Sequence, residues 1–120
     1  MNLEEEQTVT NELLLLYNVD MLSRADARIA RKVKHRLLKV TPVKRLMVYG
    51  SRARGDAASD SDLDLYIEGP VVTPDMRRKI SEIAWEVSLE TGIIISTLIY
   101  SKQLAGQPII KAIETDGIAV

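Results

Sequence analysis

Residues 49–67 read YGSRARGDAASDSDLDLYI, and three features are packed into them. The apolar run Leu46-Met47-Val48-Tyr49 stops abruptly at Gly50-Ser51. A polar loop follows, from Gly55 to Ser61. Then Asp62-Leu63-Asp64-Leu65-Tyr66-Ile67 alternates polar and apolar residues with period two, the pattern of a half-buried strand. On such a strand Asp62 and Asp64 point to one face, and Leu63, Leu65 and Ile67 to the other. Two carboxylates side by side on a rigid strand repel each other unless a cation sits between them. Beside them a strand end runs into Gly-Ser, where free backbone N–H groups can meet an anion. A divalent cation on one side and phosphates on the other describe a site for nucleotide chemistry.

The rest of the chain bounds this reading. Its 120 residues suit one domain with one core. Apolar content of 46% and charged content of 28% are ordinary for a globular protein. A net charge of −1 does not mark a polyanion binder. Charge is unevenly spread, however. Glu4, Glu5, Glu6 and Glu12 make the start acidic, and between positions 24 and 45 nine basic residues stand against one acid, Asp26. That stretch could face RNA or an acidic partner. A solvated helix face fits it better, because the basic residues fall on the polar positions of a helical pattern. With one Trp, four Tyr and no Phe, the chain is poorly supplied for stacking on single-stranded bases, so nucleic acid is not an expected partner.

There is no cysteine, which excludes disulfides, thiolate metal sites and cysteine nucleophiles, and suits a cytoplasmic protein. The acidic opening does not read as a signal peptide, and no apolar run approaches a membrane span. His35 has no second histidine to share a metal with.

The hydropathy pattern gives an element order. Val9, Leu13, Leu16 and Tyr17 share one helical face. Ser23 with Asp26 three residues on resembles a capping box. From there Ile29, Val33, Leu37 and Val40 recur at helical spacing, and the helix must end before Pro42. Residues 43–49 form a first strand. Residues 51–54 can make a first helical turn, 55–61 a loop, and 62–68 a second strand that Gly69-Pro70 stops. Thr73, Pro74 and Asp75 suit a helix N-terminus; Met76, Ile80, Ile83, Ala84 and Val87 form its buried stripe, and Gly92 lies just past its end. Residues 93–100 are continuously apolar and β-branched, hence a buried strand. Pro108 opens a short helix with Ile109, Ile110 and Ile113, and residues 117–120 offer a terminal strand. The fold class is α+β, a two-layer domain with a small mixed sheet of three to four strands flanked by helices. A single domain is expected over residues 1–120, with a helical part at 1–41 and the core at 43–120.

Gly-Ser, about ten residues, then Asp-x-Asp resembles the signature of the nucleotidyltransferase superfamily related to DNA polymerase β. The run GSRARGDAASDSDLDL is similar to the minimal nucleotidyltransferase (MNT) domains of bacteria and archaea, and the resemblance extends over roughly residues 43–120. It implies that Gly50 lets the backbone approach a triphosphate and that Ser51 hydrogen-bonds a phosphate oxygen. It implies that Asp62 and Asp64 hold Mg²⁺ and form the catalytic pair. Arg52 and Arg54 are sited to meet phosphate, and Ser61 either caps the loop or touches the nucleotide. ATP is the expected nucleotide. If active, the domain would transfer a nucleoside monophosphate to a hydroxyl.

The sequence departs from the family at one place. Active members carry a third carboxylate on the next strand, which serves as general base or completes the metal site. Residues 93–100 contain no acid, and Ser96 falls where that carboxylate belongs. A serine hydroxyl is a poor base near neutral pH and a poor ligand for a hard cation. Glu86, Glu90 or an acid from another chain could substitute. The alternative function is therefore a catalytically impaired module that binds a nucleotide or a partner. The resemblance also implies a partner protein, a small helical HEPN-type toxin with this chain as antitoxin. A homo-oligomer is left open.

Overall fold

The computed structural model describes residues 22–120. Its elements are α1 (Arg24–Leu38), β1 (Arg45–Tyr49), α2 (Ser51–Arg54), β2 (Leu63–Glu68), α3 (Pro74–Thr91), β3 (Ile95–Ile99), a 3₁₀ turn (Lys102–Leu104), α4 (Pro108–Asp116) and β4 (Ile118–Ala119). The helix expected around Val9 to Tyr17 lies outside the described residues. Among the described residues no helix is long and apolar enough to cross a membrane.

Local chemistry explains the boundaries. Ser23 caps α1, its hydroxyl accepting from the Asp26 N–H at 3.0 Å. Thr73 caps α3 in the same way, accepting from the Met76 N–H at 3.1 Å, with Pro74 in the first turn. Gly92 ends α3 in the left-handed conformation, φ +75°. The helix expected to run towards Pro42 stops earlier, at Leu38, where the Lys39 and Val40 N–H groups close back three residues on the Arg36 and Leu37 carbonyls, at 3.3 and 3.0 Å, and tighten the last turn. The strand expected from residue 93 starts at Ile95, and Ile94, expected inside, is 61% exposed. The left-handed turn at Gly92 delays entry into the sheet.

The sheet order is β3-β2-β1-β4. β1 runs antiparallel to both β2 and β4, while β2 and β3 are parallel. A parallel pair needs a long crossover, and α3 supplies it. This is the expected mixed sheet, with four strands.

Strand alternation divides the residues between two faces. Leu46, Val48, Leu63, Leu65 and Ile67 join Ala30, Val33 and Leu37 of α1 and Ile80, Ala84 and Val87 of α3 in the main core. Each buried Leu, Ile or Val among them contributes about 1.5–3 kcal/mol by leaving water. Met47 and Tyr66 face the other way and meet Ile113 of α4. Asp64 shares the parity of Tyr66, so it lies on this second face. There α4 covers the Met47–Tyr66 row, whereas the next row, Tyr49 to Asp64, is only half-buried.

Candidate functional site

The hairpin register sets Tyr49, the last residue of β1, opposite Asp64 of β2. The next residue, Gly50, has φ +76° and ψ −155°, a region that essentially only glycine occupies. It turns the chain from β1 into the single turn of α2. A Cβ at this position would stand 2.5 Å from Asp64 Oδ2. The glycine therefore does two things, allowing the backbone turn and leaving the room that the Asp64 carboxylate fills. Gly50 offers no side chain to cap the first turn of α2, so the N–H groups of that turn have no side-chain acceptor from the N-cap.

Burial, first, and the neighbouring Asp62 carboxylate, second, push the Asp64 carboxyl up from its ordinary value, while the Arg54 charge pulls it back down. Three of the expected site residues, Asp62, Asp64 and Arg54, are thus close enough to act on one another. Asp62 is exposed and Asp64 half-buried. Hard carboxylate oxygens in a region of negative potential are the donor set for a divalent cation, and such a cation would relieve their repulsion. Arg54 is exposed and makes a loose contact with Asp56, 3.3 Å from Nε to Oδ2, which leaves the guanidinium able to turn to an anion. Ser51 is half-buried at the start of α2.

Ser61 is placed at the loop end by its backbone. Its N–H donates to Ala58 O at 3.1 Å, and its carbonyl accepts from Arg52. Arg52 itself departs from the expectation that it meets phosphate. Its Nη1 donates to Asp26 Oδ1 and Oδ2 at 3.1 and 3.2 Å, its Nε to Ser61 O at 3.0 Å, and its Nη2 to Ser59 O and Ser61 O at 3.1 and 2.8 Å. The two side chains are 10% and 7% exposed. Asp26 also departs from its expected role. Its backbone N–H binds the Ser23 cap, but its carboxylate reaches across to Arg52 rather than completing a capping box.

The parallel register sets Ser96 opposite Asp64. Glu86 and Glu90 do not replace the missing acid. They belong to α3, on the other face of the sheet, and pair with α1: Arg36 meets Glu90 at 2.8 Å and Glu86 at 3.8 Å, and Lys32 meets Glu90 at 3.4 Å. Among the described residues no three Asp, Glu, His or Cys side chains cluster as a metal site. The same ion pairs account for part of the basic stretch of α1 as helix–helix packing. Lys34 is engaged too, donating to the Val120 carbonyl at 2.6 Å.

Tyr49 was not legible as a site residue. Burial, then the Asp64 charge, push its hydroxyl up from its ordinary value, so it keeps its proton at neutral pH and can serve as a donor. Its place beside the acids follows from hairpin register, which can be counted once both strands are fixed.

The model of the nucleotidyltransferase domain matches residues 27–120. The chain belongs to the nucleotidyltransferase domain family. It is also similar to a Methanocaldococcus jannaschii protein named as a putative protein adenylyltransferase, with 36% identity over 77 residues, covering 63% of this chain and 77% of that relative. The matched region, residues 27–120, holds α2, the loop, Asp62, Asp64 and Ser96.

Proposed function

We propose that this nucleotidyltransferase domain binds Mg²⁺ and a nucleoside triphosphate, ATP, between the turn at Gly50 and the Asp62–Asp64 pair. It would transfer the nucleoside monophosphate to a hydroxyl on a partner protein. The observation that carries this reading is the packing of Asp64 into the space left by the absent Gly50 side chain, beside Asp62 and the uncapped turn of α2. Asp62 and Asp64 would hold the cation. When bound, it would supply positive charge to offset the negative charge developing on the phosphate oxygens. Ser51 and the N–H groups after Gly50 would hydrogen-bond phosphate oxygens, with Ser61 at the mouth of the loop. Arg54 would swing from Asp56 to the polyphosphate. In the transfer, the acceptor oxygen forms a bond to the α-phosphorus, the α–β phosphoanhydride bond breaks, and pyrophosphate leaves with its electron pair. The acceptor's proton passes to solvent or to a base that another chain brings.

The name of the Methanocaldococcus jannaschii relative supports a protein acceptor and an adenylyl group. Exposed Trp85, Leu89 and Ile94, 62%, 67% and 61% accessible, offer apolar surface for a partner. A HEPN-type toxin, with this chain as a cytoplasmic antitoxin, is the partner that the MNT resemblance implies. Incubation with α-labelled ATP, Mg²⁺ and the partner should label the partner, and Asp62→Ala with Asp64→Ala should abolish the label.

A second reading is favoured by Ser96 opposite Asp64. Without a base, the domain would bind a nucleotide or partner and turn over slowly or not at all. Loss of a general base costs about a hundredfold to ten-thousandfold in rate. ATP that raises the melting temperature without any transfer of label supports this reading.

A further inference from the structure

We propose that Arg52 is a positioning residue: anchored on Asp26 of α1, its guanidinium fastens the 55–61 loop so that Asp62 stands beside Asp64. The proposal rests on the reading of that acid pair as a cation site. The guanidinium is a planar fork with five donors, and all three of its nitrogens are used. One side is spent on the Asp26 carboxylate. The other grips Ser59 O and, twice, Ser61 O. The Ser61 carbonyl belongs to the peptide unit that joins Ser61 to Asp62. Immediately beyond, the Leu63 N–H enters the sheet on Ile94 O at 2.9 Å. Asp62 is thus held between a clamped peptide and the first rung of the ladder.

Little else fastens this loop. Its backbone bonds are Gly55 N–H and Asp56 N–H to Ser51 O at its start and Ser61 N–H to Ala58 O at its end, and Asp56, Ala58, Ser59 and Asp60 are exposed. Asp64 needs no such help, because it lies inside β2 and is laddered on both sides. A lysine at position 52 would keep the charge but could not reach the carboxylate and two carbonyls at once. Asp26 is an outer partner of the same device, and its loss would free the fork to turn.

The test uses the whole chain, with Arg52→Lys, Asp26→Asn, Asp62→Asn and the double variant Arg52→Lys/Asp62→Asn. Backbone ¹⁵N order parameters report the loop, and titration with Mn²⁺, followed by its electron paramagnetic resonance signal, reports the acid pair. In Arg52→Lys, order parameters at residues 56–62 should fall from about 0.85 towards 0.6 while β1, β2 and α3 keep theirs. Mn²⁺ binding should weaken about tenfold to a hundredfold, the usual cost of losing an outer-shell partner. Asp26→Asn should move both in the same direction. In the Asp62→Asn background, Arg52→Lys should cost no further Mn²⁺ affinity, because the carboxylate it positions is gone. Unchanged loop order, or loosening spread evenly through the sheet, would overturn the proposal. So would an equal loss of Mn²⁺ affinity with and without Asp62. Should the wild type bind no Mn²⁺ while Arg52→Lys loosens only the loop, the cation reading falls and the fastening stands.

Discussion

Asp64 of β2 stands opposite Ser96 of β3 in the parallel ladder. That pairing puts a hydroxyl where a third carboxylate would complete the acid cluster. Ser96→Asp should therefore act in two directions. Without divalent cation, a third negative charge facing Asp64 should cost on the order of 1 kcal/mol of stability. With Mg²⁺, melting curves should show the loss recovered, and any label transfer should speed up by about a hundredfold or more. A variant equally stable with and without Mg²⁺ would count against a cation at this row.

Gly50→Ala tests the cradle from the other side. Its backbone conformation is one that alanine adopts only at a cost of about 1–3 kcal/mol, and its Cβ would meet Asp64 Oδ2 at 2.5 Å. Urea denaturation should show a loss of that size, and Mn²⁺ affinity should fall as the carboxylate is displaced. Retention of full affinity would mean that the Asp64 carboxylate does not need the space beside Gly50.

The buried Asp26–Arg52 pair should be costly to break from one side. Asp26→Ala or Arg52→Ala each leaves an unmatched charge at sites 7% and 10% exposed, with an expected loss of about 3–5 kcal/mol. The double variant should lose clearly less than the sum of the two. Additive losses in a double-mutant cycle would show that the partners do not depend on each other.

Alkaline pH should expose a buried tyrosine. Burial, reinforced by the Glu68 carboxylate and opposed by Arg45, pushes the Tyr66 hydroxyl up to about 12 from its ordinary 10.0. The folded chain therefore holds this proton where the unfolded chain has released it. Stability from this group is complete below pH 10.0 and is lost as pH rises through about 12. Tyr66→Phe should flatten that part of the stability profile in urea melts at stepped pH, leaving a smaller slope from Tyr49, which is raised in the same direction.

The strand–loop–strand around the acid pair was legible because its signals are local. Period-two alternation marks β2, Gly50 punctuates β1, and Thr73, Pro74 and Gly92 bracket α3. Ser96 came into view through the family resemblance rather than through a local signal, and the parallel register sets it opposite Asp64. Element ends were read less well. Val40 and Ile94 look like parts of apolar runs, yet backbone hydrogen bonds end the first helix before Val40, and the left-handed Gly92 delays the strand until after Ile94. The partnership of Asp26 with Arg52 was not legible at all. The two are 26 positions apart, Asp26 sits where a first-turn acid is expected, and Arg52 looks like one more loop cation. Only the tertiary fold brings the two side chains together.

The decisive measurement for nucleotide binding at Asp62 and Asp64 is isothermal titration calorimetry of ATP, with and without Mg²⁺, into the wild-type chain and into Asp62→Ala/Asp64→Ala. A Mg²⁺-dependent site at the acid pair gives saturable ATP binding that requires Mg²⁺ and disappears in the double variant while its fold, by circular dichroism, is retained. Binding by the variant as tight as by the wild type, or no Mg²⁺-dependent binding by the wild type at all, would contradict it.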